Sequence, residues 1–240
     1  MSWKPATAML SFLTAIVLLT VGCADVPSTG PAVPDFKADF RFINAATDAG
    51  SLNITVDNGH GASAVTISGL EVGGASEHMT FNAGNRETTL STGDVATLSM
   101  DSEKRGSILI LNAINGTRRF VKLAERRRFD PARTEIPATD TTAAVPITAF
   151  RLVNGMDDGT VVYAVLAGTD TLQTGNVTFS PTVDTYTDQA APGSYTVTVY
   201  NADDDSELAS ATATFEANRF TAIVYGTAAS ASAIVLDDEK

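Results

Sequence analysis

Cysteine and tryptophan each occur once in the 240 residues, and histidine twice. One cysteine excludes an intrachain disulfide and any thiolate metal cluster. Two histidines exclude a three-histidine metal centre. Charge is scarce and one-sided, with 16 basic residues against 28 acidic ones and a net charge of -12. Such a chain lacks the basic face that phosphate backbones require, so no nucleic acid partner is expected. Helical periodicity is also missing: no window places capped apolar residues at i, i+3, i+4 and i+7. What remains is a chain that is 44% hydrophobic and 18% charged, which is enough to build a core.

The one cysteine sits at the end of an address. Residues 1–5 carry a single positive charge, Lys4, and residues 6–21 form an uncharged, mostly apolar run. That run is short for a spanning helix and suits a signal-peptide core. It ends at Thr20-Val21-Gly22-Cys23, which resembles a bacterial lipobox. The resemblance implies cleavage before Cys23 and acylation of that residue, with two or three chains giving a stable anchor. The alternative is an ordinary secretory signal with an incidental cysteine. By resemblance to Gram-negative lipoproteins, Ala24 favours sorting to the outer membrane. The expected location is therefore the cell envelope, lipid-anchored at the outer membrane and facing the periplasm or the surface. Loss of residues 1–22 removes Lys4 and no acid, so the lipid rather than a basic face is expected to touch the bilayer. Residues 23–37, with three prolines and no periodicity, read as a flexible tether.

The rest of the chain reads as one unit written twice. Phe40-Arg41-Phe42-Ile43-Asn44-Ala45 aligns with Phe150-Arg151-Leu152-Val153-Asn154-Gly155. In both copies an acidic turn and an alternating segment follow. Arg105 to Leu111 aligns with Arg219 to Tyr225, and Phe120-Val121-Lys122-Leu123 with Ala233-Ile234-Val235-Leu236. Residues 38–125 and 149–240 are the two expected domains, joined by a linker over 126–148. Arg126-Arg127-Arg128 reads as a solvated linker end, because the acidic chain around it offers no wider basic face. Short alternating segments separated by turn residues predict an all-β protein of two tandem immunoglobulin-like or transthyretin-like β-sandwiches. About seven strands are expected in each.

The second copy carries Arg151 to Asp158, then Ala191-Pro192-Gly193-Ser194-Tyr195-Thr196-Val197-Thr198-Val199, and finally Phe220 to Gly226. This succession resembles the family called domain of unknown function 4397 (DUF4397). The first copy departs from it at Ala83 to Leu90 and at Arg105 to Leu111, and neither copy has the proline-bearing opening tract of that family. The resemblance implies exported, often lipid-anchored β-domains and supplies no catalytic residue.

Candidate sites are few. Asp157, Asp158, Asp203, Asp204 and Asp205 form the densest acidic loops. Calcium takes oxygens from such loops, although EF-hand spacing is absent and acidic turns also form without metal. His60 and His78 lie in a stretch without a metal-binding spacing or a G-x-S-x-G elbow. Arg41 and Arg151 occupy equivalent places in apolar strands, as repeated ligand contacts or as strand residues paired with an acid. No cofactor and no catalytic residue are expected. The reading is a non-enzymatic binding, adhesion or structural protein, with an envelope protein or a glycan as partner. The alternatives are a hydrolase of envelope polymers using His60 or His78, and a calcium- or carbohydrate-dependent module.

Overall fold

Period-two alternation organises the outer strands, and unbroken apolar runs organise the inner ones. The computed structural model describes residues 36–59, 61–127, 135–136 and 143–240. The expectations for the signal, the tether, Cys23 and His60 lie outside these residues. Every regular element described is a strand. The first half comprises β1 (Lys37–Asn44), β2 (Leu52–Val56), β3 (Val65–Leu70), β4 (Met79–Asn82), β5 (Gly84–Leu90), β6 (Val95–Met100), β7 (Lys104–Ile114) and β8 (Thr117–Arg127). A short hairpin, β9 (Glu135–Ile136) and β10 (Val145–Pro146), follows. The second half comprises β11 (Thr148–Met156), β12 (Val162–Gly168), β13 (Thr171–Gln173), β14 (Thr182–Val183) and β15 (Asp188–Ala190), then β16 (Gly193–Asn201), β17 (Glu207–Phe215), β18 (Arg219–Gly226) and β19 (Ser232–Asp237). β8 runs past the expected boundary at residue 125, so the backbones of Arg126 and Arg127 belong to a strand.

Each half is a pair of sheets. In the first, β4-β1-β7-β8 faces β3-β2-β5-β6; in the second, β15-β11-β18-β19 faces β13-β12-β16-β17. β1 and β7 pair in parallel, as do β11 and β18. The sequence repeat is also a register repeat, since Arg41 lies opposite Ser107 and Arg151 opposite Thr221. Eight strands build each half, against the seven expected; the extra pairings come from short strands such as β4 and β15.

Burial follows the layers. β2 alternates buried and exposed positions, as a sheet with one wet face must. Phe40, Phe42, Leu52, Ile54 and Phe81 fill the first sandwich. Phe150, Tyr195, Phe215 and Phe220 fill the second, with the Phe215 and Phe220 ring centroids 4.6 Å apart. β18 is buried at almost every position, because both of its faces are covered. Its second face meets the other half: Ile43, Leu109, Leu111 and Val121 pack with Val153, Ile223 and Tyr225 in a third apolar layer. Residues 36–240 therefore group as one compact unit. The approach is close at Gly155, where an added Cβ would lie 2.8 Å from Leu111 Cδ2. β14 crosses the seam and pairs in parallel with β8 of the first half.

Candidate functional site: a buried ionic cluster between the halves

The third layer is apolar except at one end, where the two repeated arginines lie. Arg41 is 3% exposed and Arg151 1%. Each projects from a central strand toward the opposite half. The Arg41 Nε donates to Ser107 Oγ on the next strand at 2.9 Å. Its Nη1 donates to the Asp237 carbonyl at 3.0 Å, and its Nη2 to Asp238 Oδ1 at 2.7 Å. Arg151 repeats the plan. Its Nε donates to Thr221 Oγ1 at 2.8 Å, and its Nη1 to the carbonyls of Ala124 and Val183 at 2.5 and 3.2 Å.

The acids occupy equivalent places too. Glu125 lies near the end of β8 and Asp238 just past the end of β19, each two residues beyond the aligned leucines Leu123 and Leu236. Ser107 Oγ donates to Glu125 Oε1, and Thr221 Oγ1 to Asp238 Oδ2, both at 2.5 Å. Each acid then meets a ring. His78 Nε2 lies 3.0 Å from Glu125 Oε2, whereas the Tyr186 hydroxyl donates to Asp238 Oδ2 at 2.7 Å. The Tyr186 ring also lies under the Arg151 guanidinium, 4.4 Å from Cζ to the centroid. The arrangement is a pseudo-twofold set of arginine, hydroxyl, acid and ring.

The two acids are shifted in opposite directions. Burial pushes Asp238 up, the neighbouring Glu125 charge adds to it, and Arg151 and Arg41 only partly offset this, leaving Asp238 at about 6. Burial also pushes Glu125 up. There, however, the His78 hydrogen bond and the Arg41 charge prevail and hold it below its ordinary value. Desolvation and the adjacent Asp238 charge raise the Tyr186 hydroxyl far above the usual phenol range. Tyr186 therefore acts as a donor to Asp238, not as a charge.

The acidic loops weighed as calcium candidates make hydrogen bonds and an ion pair within the chain. Asp157 forms an ion pair with Arg119 of the other half and accepts from Asn112 Nδ2 at 2.6 Å. Asp158 accepts from Thr160 Oγ1 and from the Ala228 N–H. Against the upward push of burial, those bonds hold its carboxyl below the ordinary value. The Asp203 N–H closes a turn onto Asn201 Oδ1, and Asp204 closes one with Ser206. Asp205 accepts from the Tyr163 hydroxyl at 2.9 Å. Among the described residues, no group of three or more His, Cys, Asp or Glu is arranged to hold a metal. His78 is drawn into the buried cluster, with Arg105 Nη2 and the Lys240 carbonyl each 3.0 Å from its Nδ1.

Sequence reasoning placed Arg41 and Arg151 as a repeated pair but missed their acids. Glu125 and Asp238 are equivalent positions two residues beyond Leu123 and Leu236, so the signal lay in extending the weaker alignment. Two clefts flank the cluster at β14. One, of about 260 Å³, is bordered by Lys104, Lys122 and Glu125; the other, of about 300 Å³, by Arg151, Asn176 and Thr178.

No family model matches the chain, and no curated protein matches it. Among solved structures, a leucine-rich repeat protein from Bacteroides thetaiotaomicron is similar at 13% identity and a TM-score of 0.18, covering 80% of this chain and 26% of that one. The chain thus spans about a quarter of that protein's length. The C-terminal fragment of the pilus adhesin SpaC from Lactobacillus rhamnosus GG is similar at 11% identity and a TM-score of 0.20, covering 84% of this chain and 87% of the fragment. Scores that low establish neither fold nor function.

Proposed function

We propose that this chain is a lipid-anchored cell-envelope protein, held by acylated Cys23 at the outer membrane, whose folded part has a non-enzymatic binding or structural role. The observation that carries the reading of the folded part is the buried cluster. Its arginines, acids and rings bond one another across the seam and brace the two halves, and the buried side chains of Arg41, Glu125, Arg151 and Asp238 are at most 4% exposed. Groups committed in this way stiffen a body. A rigid body on a short tether suits the presentation of surfaces at a membrane. The lipobox-like Thr20 to Cys23 and the likeness of the second copy to DUF4397 support export and anchoring.

The test is the intact mass of the protein in the membrane fraction, for the natural chain and for Cys23→Ser. The expected result is a chain that starts at Cys23 and carries acyl mass, with both features lost in the variant. An unmodified, soluble natural chain would overturn the anchor.

A further inference from the structure

A sheet edge presents unpaired N–H and C=O groups that another strand can satisfy. In the first half the β8 edge is already covered. Thr182 and Val183 of β14 pair in parallel with Lys122 and Leu123, and the Lys122 N–H donates to the Pro181 carbonyl at 3.0 Å. The Val183 side chain packs into the apolar layer between the halves.

β19 is the equivalent edge of the second half. Val235 faces Ala222 on β18 as Lys122 faces Ile108 on β7. Among the described residues, no strand pairs with β19 on its outer side. The first half has no matching strand to lend. Its β3–β4 connection runs only from 71 to 78, against 174 to 187 between β13 and β15. It also spends its backbone on β1, where Gly74 O accepts the Asn44 N–H and the Ser76 N–H donates to Phe42 O. β19 carries a single charge, Asp237 at its end. Residues 232–236 contain no proline and no charge, and the pairing with β18 is free of bulges.

We infer that the outer edge of β19 is a strand-acceptor site for an extended segment of a partner protein, entering parallel to β19 as β14 enters beside β8. The second half carries three basic residues, Arg151, Arg219 and Lys240, against thirteen acidic ones. That imbalance disfavours a second copy of the chain and favours an uncharged or basic segment with β-branched residues. Backbone pairing would supply the affinity and the alternate side chains the selectivity. The inference deepens the binding role proposed above and rests on that reading, but not on the lipid anchor.

The test uses the whole chain in detergent and a labelled, capped peptide, Thr-Phe-Ser-Pro-Thr-Val-Lys-Thr, which is residues 178–185 with Asp184→Lys. Binding is read by fluorescence anisotropy and located by amide hydrogen exchange. The expected result is saturable binding with slowed exchange along β19. A peptide N-methylated at its valine should bind at least about tenfold more weakly, because it loses a ladder hydrogen bond. Val235→Pro should weaken binding similarly, since proline at an edge removes an outward N–H. Four results would overturn the proposal: no binding, undiminished binding of the N-methylated peptide, protection of β8 or another edge instead of β19, and β19 protection through self-association without peptide. The mass comparison on Cys23→Ser judges the anchor separately, so a failed peptide and a failed anchor are distinguishable.

Discussion

Glu125 and Asp238 stand at the same place in the two halves, beside the same kinds of neighbour, yet one is held below its ordinary pKa and the other is pushed up to about 6. Arg41 does not explain the difference, because it reaches both acids. The rings do. His78 offers Glu125 a ring nitrogen at 3.0 Å, and Arg105 adds its Nε at 3.5 Å. Asp238 receives from Tyr186 a neutral hydroxyl, with no third cation of comparable reach. A duplicated scaffold can therefore place two carboxylates alike in geometry and unlike in electrostatics, the ring nitrogen lowering one and the charge of that one raising the other.

The largest effect should come from removing an arginine, since Arg41 reaches both acids and Arg151 reaches Asp238 and two backbone carbonyls. Arg41→Ala leaves Asp238 without its 2.7 Å partner. Arg151→Ala removes the bond to Ala124 across the seam and the bond to Val183 on β14, the strand that pairs with the other half. Breaking a buried pair from one side costs about 3–5 kcal/mol. Urea unfolding should show a loss of that order for each variant. Lysine should not restore it, because its point charge cannot reproduce the fork of donors. A loss below about 1 kcal/mol, the size of a surface pair, would mean that the two halves do not depend on the cluster.

How far the sequence foretold this depends on which contact is considered. The alternation in Tyr195 to Tyr200 and the aligned Phe-Arg and Phe-Arg segments were enough for an all-β reading with a repeated strand pattern. Packing between the halves left a fainter trace. Ile108 to Leu111 and Ala222 to Tyr225 are unbroken apolar runs, and such runs mark strands covered on both faces. An arginine inside such a strand admits either a ligand contact or an ion pair, and only the fold brings Glu125 and Asp238 to it. The strap that carries β14 was not legible, because a two-residue strand has no period.

A smaller effect, of distinctive sign, follows from the acids themselves. A carboxyl raised in the folded state binds its proton more tightly there than in the unfolded chain. Its contribution to stability is thus fully present below the unfolded pKa of about 4 and is lost as pH rises through about 6. Glu125 behaves oppositely: its lowered pKa gives stability that is present above its ordinary value and lost as pH falls through the folded one. The Asp238 contribution amounts to roughly 3 kcal/mol across that window. Asp238→Asn should therefore remove the decline in stability between pH 4 and pH 7, whereas Glu125→Gln should only reduce it, because burial is the larger cause of the Asp238 shift and the Glu125 charge the second. Equal slopes in both variants, measured by denaturant titration at several pH values, would refute the opposed shifts.

The smallest effect tests whether the rings carry the difference between the halves. Tyr186→Phe keeps the ring under the Arg151 guanidinium and deletes only the hydroxyl that donates to Asp238 at 2.7 Å. The lost hydrogen bond to a buried charge should cost about 1.5–3 kcal/mol at pH 7. Because that donor favours the ionised acid, its loss should also raise the Asp238 pKa further and steepen the decline in stability toward neutral pH. His78→Phe should act first on the other acid, raising the Glu125 pKa and moving the acid limb of the profile more than the decline toward neutral pH. If both ring variants changed the same part of the pH profile, the two acids would be titrating as one unit, and the ring exchange would not separate them.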